Sequence, residues 1–278
     1  MSSGKPYGKV ILAGAGPGDA ELITVKLQQR LSIADVIITD RLVNPEIIKT
    51  YASADAEVVL AGKQGYNDSS YSQDEVSTII LEYAKEGKTV LRLKGGDVAF
   101  FSNVLHELEA LKQHNIPYEI IPGISAASGV SAYAGMPLTA RGYSQGVHFI
   151  TFNPNSSYTK QQWSELAATH DTLVCYMASN NLAALVNRLI QFGSSLQKPL
   201  AVIEQGATIY QQVHTTTLQN YQTDFAGKTF SSPSMVIVGD VVQLHEQFHW
   251  FQTEGTGSVF QTLAQKKSLT LQEFRKAV

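Results

Sequence analysis

Short apolar runs alternate with helical patterns along the first half of the chain, and this alternation restricts the fold more than any other feature. Residues 9–14 form the first run, and apolar residues at helical spacing and a second run at residues 36–39 follow it. Later runs at 58–61, 90–93 and 120–121 continue the series. Strands separated by helices pair in parallel, because a parallel connection needs a long crossover. The first half therefore predicts an α/β domain with a mainly parallel sheet.

The second half predicts another α/β domain, this time with a mixed sheet. Strand-like runs lie at residues 147–152, 172–177, 200–204 and 235–238. Leu182, Leu185, Val186, Leu189 and Ile190 mark an amphipathic helix, whereas the Thr-rich residues 208–218 indicate a hairpin-like strand without a helix beside it. We expect an N-terminal domain over 1–122, a C-terminal domain over 123–254 and an appended polar helical tail over 255–278.

Composition excludes several classes of protein. The 21 Lys and Arg against 24 Asp and Glu give a formal net charge of -3, without the broad positive field of a nucleic-acid binder. Cys175 is the only cysteine, so an intramolecular disulfide and a cysteine-based metal site are excluded, and a reducing cytoplasm is expected. No run approaches the roughly 18 apolar residues of a membrane span. We expect no metal, no nucleic acid and no membrane partner.

Polar residues repeatedly follow the apolar runs of the first half. Residues 14–19 read Gly-Ala-Gly-Pro-Gly-Asp, and Asp40-Arg41, Gly62-Lys63 and residues 94–97, Lys-Gly-Gly-Asp, follow later runs. In open α/β sheets, ligands bind beyond the carboxyl ends of the strands. Four strand ends are thus expected to face one cleft.

Each of these segments also has a plainer interpretation. Gly14, Gly16 and Gly18 do not have the dinucleotide-binding spacing, and Pro17 lacks an amide donor for a pyrophosphate. The loop is equally suited to a tight turn that needs positive backbone angles. Asp97 is also placed to cap the helix that follows, and the neighbours Asp40 and Arg41 are equally suited to a surface ion pair.

Taken in order, the segments resemble the uroporphyrinogen-III C-methyltransferases, a family of tetrapyrrole methylases that includes the methyltransferase half of siroheme synthase. The resemblance extends from Lys9 to about Trp250. It rests on residues 14–19 with Glu21-Leu22, 40–43, 92–97, 122–130, 132–139, 172–174, 176–177, 232–233 and 236–239. One short motif of this kind is common, but the ordered set is specific.

The resemblance implies the two-domain tetrapyrrole-methylase fold with S-adenosylmethionine held in the cleft between the domains, and a homodimer. The proton acceptor would be Asp40 and the proton donor Lys63. The implied cofactor contacts are Pro17, Gly95, Gly96, Asp97, Phe100, Ser125, Ala126, Met177 and Gly206. For a tetrapyrrole substrate rich in carboxylates, the candidate ligands are Arg41, Lys63, Arg92, Lys94, Asn103 and Arg141.

The implied reaction is the methylation of two carbons of uroporphyrinogen III, through precorrin-1 to precorrin-2, in sirohaem or corrin synthesis. A pyrrole carbon attacks the sulfonium methyl in line and leaves S-adenosylhomocysteine, so aligning the two molecules is the main task of the protein. The methylated ring must then lose a proton, and an ionised Asp40 suits that step. Lys63 donates a proton only if its ammonium titrates near neutrality, and otherwise anchors substrate carboxylates.

The chain departs from the family pattern after Asp97. The family continues Pro-Phe-Ile-Phe-Gly-Arg-Gly-Gly-Glu, whereas residues 98–106 read Val-Ala-Phe-Phe-Ser-Asn-Val-Leu-His. Asn103 thereby replaces a cation, and Val104 and Leu105 favour a regular helix where the family has glycines. Two alternatives to the implied reaction follow: a related precorrin methyltransferase with a changed substrate, or a noncatalytic protein that binds the cofactor or a tetrapyrrole.

Overall fold

The computed structural model describes residues 7–61, 72–155, 157–260 and 267–277. The chain forms two compact units. The first consists of the residues up to Ala126 together with those from Ser258 onward, and the second of Ala127–Gly257. These divisions differ from the predicted boundaries at 122 and 254, and they assign the end of the chain to the first unit.

The described residues contain strands and helices in alternation through most of the chain. The strands are β1 (Val10–Gly14), β2 (Val36–Thr39), β3 (Glu57–Leu60), β4 (Val90–Lys94), β5 (Tyr118–Ile121), β6 (Val147–Thr151), β7 (Thr172–Tyr176), β8 (Pro199–Glu204), β9 (Gln212–Thr217), β10 (Ser234–Val238) and β11 (Lys267–Thr270). The helices are α1 (Val25–Leu31), α2 (Pro45–Tyr51), α3 (Gln73–Lys85), α4 (Val104–Gln113), α5 (Ala126–Tyr133), α6 (Lys160–Ala168), α7 (Leu182–Gln191), α8 (Tyr221–Asp224), α9 (Leu244–Phe248) and α10 (Leu271–Ala277). Short 3-10 helices lie at Ala20–Leu22, Ser179–Asn181 and Asp240–Gln243.

The sheet of the first unit has the strand order β11-β3-β2-β4-β1-β5. Strands β1 to β5 pair in parallel, as the alternation of the sequence predicted, and only β11 runs antiparallel. Successive residues of β1 enter different cores: Ile11 belongs to one cluster of buried residues and Leu12 to the other. Burial of both faces explains why these strands read as continuous apolar runs.

The sheet of the second unit has the order β6-β7-β10-β8-β9 and is mixed, as predicted. Strands β6 and β7 are parallel, whereas β10 lies between β7 and β8 and is antiparallel to both. Strands β7 and β8 therefore run in the same direction, and their carboxyl ends lie at the same edge of this sheet. Leu173 and Cys175 of β7 pack in one core with Leu185 and Leu189 of α7.

The polar tail contains a strand that its sequence did not predict. β11 pairs with β3, with Lys267 opposite Leu60 and Thr270 opposite Glu57. The helix α10 follows at once and buries Leu271 and Phe274 in a core of the first unit. The segment is thus an integral part of the first unit and not an appendage to it.

Neither unit has a helix that suits a membrane span: across the described ranges, every helix is too short or too polar to cross a bilayer.

Candidate functional site

Three loops of the first unit meet at the carboxyl ends of their strands with their backbones in contact. Gly16 and Gly96 exchange backbone hydrogen bonds of 3.1 and 2.7 Å. A Cβ atom on Gly14 would lie 2.5 Å from the Gly96 carbonyl oxygen, and one on Gly123 would overlap the same oxygen. Gly16 and Gly96 also have positive φ angles of 80° and 70°, which glycine adopts at little cost. The glycines are therefore required for loop packing, whatever they bind.

The loop after β4 also contacts the loop after β2. A Cβ atom on Gly95 would lie 2.7 Å from the carbonyl oxygen of Leu42. The predicted cofactor segment at Gly95 and Gly96 thus lies directly beside the segment that begins at Asp40.

Asp97 fastens this loop to the segment after β5. Its Oδ2 accepts a hydrogen bond from the Gly123 N–H at 2.7 Å, and its Oδ1 accepts one from the Ala99 N–H at 2.7 Å. The side chain is buried. The alternative in which Asp97 caps the next helix is wrong, because the N-cap of α4 is Asn103, which has a φ of 54° and makes no side-chain capping bond.

Four charged side chains lie behind the strand ends, and three of them are buried. Glu107 of α4 accepts hydrogen bonds from Arg92 Nε at 3.0 Å and from Lys94 Nζ at 2.9 and 3.1 Å. Arg92 NH2 lies 3.7 Å from Asp40 Oδ2, and the Asp40 side chain is 23% exposed. At Asp40, the structure shows an ion pair with the buried Arg92.

Lys94 has an internal partner where the sequence predicted a substrate ligand. Burial, and then the neighbouring Arg92 charge, lower the pKa of the Lys94 ammonium, while Glu107 and Asp40 act in the opposite direction. Lys94 is 4% exposed and bonded to both oxygens of Glu107. This position is unsuited to direct contact with a substrate carboxylate, and the same holds for Arg92, which is also 4% exposed.

The other predicted residues of the first unit differ in exposure. Pro17 is buried in the loop after β1, and Arg41 is half-buried beside Asp40. Phe100 is 41% exposed, and Asn103 is also exposed. Ser125 and Ala126 are half-buried at the start of α5. Lys63, the predicted proton donor, lies outside the described residues.

In the second unit, Met177 and Gly206 follow β7 and β8 at the same edge of the sheet, with only β10 between the two strands. Met177 has a φ of 57° and is 64% exposed. Gly206 lies between Gln205 and Ala207, whose φ angles are 47° and 57°. A non-glycine residue with such a left-handed backbone conformation costs free energy, and residues of this kind cluster at functional sites. Arg141 is exposed in a tight turn before β6.

Hydrogen bonds hold the strained turn at Gly206. The Gln205 N–H donates to the carbonyl of Pro233 at 2.7 Å, and the Ala207 N–H donates to Gln211 Oε1 at 2.8 Å. The Gln205 side chain is buried, and its Nε2 donates to the Gly257 carbonyl at 2.6 Å. The turn is thus fixed from both sides, which lets it keep an unfavourable backbone conformation.

Glu107 is the site residue that the sequence prediction missed, although a signal was present. Arg92 and Lys94 alternate along an otherwise apolar strand, so both project from one buried face. Two buried cations require a carboxylate nearby. Glu107 lies one helical turn after Val104 and four residues before Leu111, on the apolar side of α4.

Comparison with known proteins identifies the family. Residues 9–222 match the model of the family described as Tetrapyrrole (Corrin/Porphyrin) Methylases. The siroheme synthase of Pseudomonas fluorescens (strain Pf0-1) is 43% identical over 245 residues, which are 88% of this chain and 52% of that protein. The siroheme synthase of Stutzerimonas stutzeri (strain A1501) is 42% identical over 248 residues, 89% of this chain and 53% of that protein. The chain thus spans about half the length of these curated relatives.

Solved structures match over nearly their whole length. A uroporphyrin-III-C-methyltransferase from Thermus thermophilus superposes with a TM-score of 0.71 at 29% identity, covering 87% of this chain and 96% of that one. A structure of the Thermus thermophilus enzyme complexed with S-adenosyl homocysteine matches with a TM-score of 0.71 at 28% identity, covering 85% and 100%. A cobalt precorrin-4 methyltransferase, at 24% identity and a TM-score of 0.74, covers 84% and 95% and shares the fold. The predicted two-sheet α/β fold is confirmed.

Proposed function

The chain belongs to the tetrapyrrole methylase family, and on that premise we propose that it transfers methyl groups from S-adenosylmethionine to two carbons of uroporphyrinogen III. The products would be precorrin-1, then precorrin-2, with S-adenosylhomocysteine released in each round, for sirohaem or corrin synthesis. The proposal is supported by the siroheme synthase relatives and by the neighbour complexed with S-adenosyl homocysteine. The observation that carries it is a partly exposed carboxylate, Asp40, beside the glycine loops at the carboxyl ends of parallel strands.

The residues proposed to hold the cofactor are suited to a ligand with an apolar and a polar part. The backbone at Gly95 and Gly96 has no side chain to keep a ligand away. In the first unit, Phe100 exposes an aromatic surface, and in the second unit Met177 exposes a thioether at a strained position. When bound, S-adenosylmethionine supplies a methyl group on a positively charged sulfur.

Asp40 is placed to accept the proton that the methylated tetrapyrrole must lose. Its Oδ1 accepts a hydrogen bond from the Leu42 N–H at 3.0 Å, and its Oδ2 faces Arg92. The two contacts orient the two carboxylate oxygens of Asp40. Because only 23% of the side chain is exposed, its direction is fixed, while the exposed part remains free to meet a proton on a bridging carbon.

The remaining assignments are proposals of the same kind. We propose Lys63 as the proton donor, Arg41 and Arg141 as ligands of substrate carboxylates, and Asn103 as a hydrogen-bonding group at the substrate. We also propose a cytoplasmic homodimer. A second candidate function is methylation of a later precorrin, favoured by Asn103, which is exposed and uncharged where the family pattern has a cation.

The test is anaerobic incubation with S-adenosylmethionine and freshly generated uroporphyrinogen III, with the product followed by absorbance and mass. We expect two added methyl groups, and a loss of turnover on the order of 100-fold in Asp40→Asn, since a positioned general base contributes about 10² to 10⁴ in rate. Asp55→Asn is the matched control, because Asp55 is exposed in a turn of the same unit.

The alternatives give different results in that assay. Methylation of a later precorrin but not of uroporphyrinogen III would establish the second candidate. Cofactor binding by calorimetry without transfer to any precorrin would establish a noncatalytic protein. Equal rates for Asp40→Asn and the wild-type protein would refute the role of Asp40.

A further inference from the structure

We propose that Glu107 is a positioning residue for the reaction at Asp40 and acts through Arg92. The inference rests on the proposed role of Asp40. No part of the Glu107 side chain is exposed. Whatever it contributes to the reaction must therefore pass through its neighbours, and two of these are cations on the strand that ends at the candidate site.

Glu107 and two backbone carbonyls fix the orientation of the Arg92 guanidinium. Nε donates to Glu107 at 3.0 Å, and NH1 donates to the carbonyls of Ile38 and Leu93 at 3.2 and 3.0 Å. The guanidinium is planar, so these bonds leave NH2 only one direction. That direction leads to Asp40, at 3.7 Å.

The charges of the cluster also depend on Glu107. Arg92 and Lys94 are matched by Glu107 and Asp40, so the four charges cancel. Lys94 bonds to both oxygens of Glu107 and thereby has a partner other than Asp40. Without Glu107, Asp40 would be the carboxylate left to the two buried cations among the described residues of this cluster. It would be drawn inward, away from the proton that it must accept.

The helix that carries Glu107 begins where the chain departs from the family pattern. Val104 and Leu105, which replace glycines, are the first two residues of α4, and Glu107 lies in its first turn. The unpaired N–H groups of a first turn favour a carboxylate. Nearest to Glu107 in sequence are the titratable residues His106 and Glu109, which are both exposed, and nearest to Asp40 is Arg41, which is half-buried.

The first test does not require a substrate. Arginine Nε–H resonances are recorded by ¹⁵N NMR, and Arg92→Lys identifies that of Arg92. Glu107→Gln is expected to shift the Arg92 signal and to increase its exchange with water at least ten-fold, and Asp40→Asn is expected to shift it as well. Glu109→Gln, the same change at an exposed position of α4, should leave it unchanged. Unchanged exchange in Glu107→Gln would overturn the proposal.

The second test separates positioning from a purely structural role. In Glu107→Gln, kcat is expected to fall about 10- to 100-fold, because a misplacement of about 1 Å costs rates of this order. KM for the tetrapyrrole should stay unchanged, since the Glu107 side chain is fully buried and does not contact the substrate. If only the thermal midpoint falls, while kcat per folded protein matches the wild type, Glu107 is structural and the proposal fails.

A double variant keeps the test decisive if Glu107→Gln does not fold. Lys94→Met with Glu107→Gln removes one cation and one anion, so the remaining Arg92 and Asp40 stay balanced. We expect this protein to fold with kcat still lowered and KM for the tetrapyrrole unchanged, because Lys94 is buried. A wild-type kcat would mean that Glu107 only neutralises Lys94. Failure of the wild-type protein to methylate uroporphyrinogen III refutes the proposed function, whereas the NMR comparison decides on the Glu107–Arg92–Asp40 coupling in either case.

Discussion

Replacement of Asp97 by alanine should destabilise the first unit, because the carboxylate joins two loops through the Ala99 and Gly123 N–H groups. Both hydrogen bonds are 2.7 Å long and end on a charged acceptor. Hydrogen bonds to charged groups contribute about 1.5–3 kcal/mol each. Asp97 is 6% exposed, so water cannot freely replace the lost acceptor. The expected cost of Asp97→Ala is therefore about 3–5 kcal/mol.

Asparagine at the same position provides a graded comparison. Its side chain has one oxygen and one NH₂ group, so it can accept from only one of the two N–H groups and places a donor opposite the other. Asp97→Asn should therefore lose at least one of the two bonds, or about 1.5–3 kcal/mol. If the stability of the loop came from glycine packing alone, the two variants would be equal.

The assay must report on the first unit. Both tryptophans, Trp163 and Trp250, lie in the second unit, so their fluorescence does not follow the loop. Amide hydrogen exchange measured by mass spectrometry reports on the loop directly, because each 1.4 kcal/mol of local destabilisation increases the exchange rate about ten-fold. Peptides with Ala99 and Gly123 should exchange about 10²- to 10⁴-fold faster in Asp97→Ala, and peptides of α7 at the wild-type rate.

A matched control and a clear refutation complete the experiment. Asp55→Ala removes an exposed carboxylate from the same unit and should change stability by no more than about 0.5 kcal/mol. If Asp97→Ala costs less than about 1 kcal/mol, or if exchange at Gly123 is unchanged, the two hydrogen bonds do not hold the loops together and the description of Asp97 is wrong.

Three further outcomes are expected. Gly123→Ala should lower the free energy of unfolding by about 1–3 kcal/mol in urea, because its Cβ would overlap the Gly96 carbonyl, and a change below about 0.5 kcal/mol would contradict that packing. Burial raises the pKa of the Cys175 thiol to about 12, so iodoacetamide at pH 8 should label Cys175 only at the rate at which the protein unfolds, measured by tryptophan fluorescence. Rapid labelling of the native protein would contradict this burial. Hydrogen bonds from Lys26, Lys9 and Arg30 lower the pKa of Glu119, so the ionised carboxylate stabilises the fold above pH 4.5, its ordinary pKa, and this contribution is lost as pH falls below that value. At low salt, the stability of Glu119→Gln should therefore fall less steeply with acid than that of the wild type, and parallel stability curves would refute these hydrogen bonds as the cause.

The order of strands and helices was predictable from the sequence because local pattern and tertiary burial agree. The run at residues 36–39 became β2, and the periodic apolar residues from Leu182 became α7. Ser72 and Glu75 form a capping box at the start of α3, which their spacing in the sequence indicates. In these segments the local preference of the chain and its tertiary partners select the same conformation.

Features that depend on distant partners were missed. β11 is an edge strand of four residues, of which only Leu269 is strongly apolar, and it forms by pairing with β3. The role of Glu107 likewise exists only once α4 packs beside β4. The sequence predicted that Arg92 and Lys94 are charged residues near a site, and their alternation places both on one face of the strand. It does not show which residues pack against that face, so the burial of both charges was not predicted.

The candidate site residues fall into two groups that mutation experiments report on differently. Gly96 and Asp97 hold loops together, so their substitution lowers activity through unfolding, whether or not they contact the cofactor. Asp40 keeps a partly exposed carboxylate, and Met177 exposes most of its side chain, so their substitution removes little packing. Loss of methyl transfer in Asp40→Asn or Met177→Ala at unchanged stability would therefore report on chemistry or cofactor contact, whereas the same loss in Asp97→Asn becomes informative only after its cost in stability is subtracted.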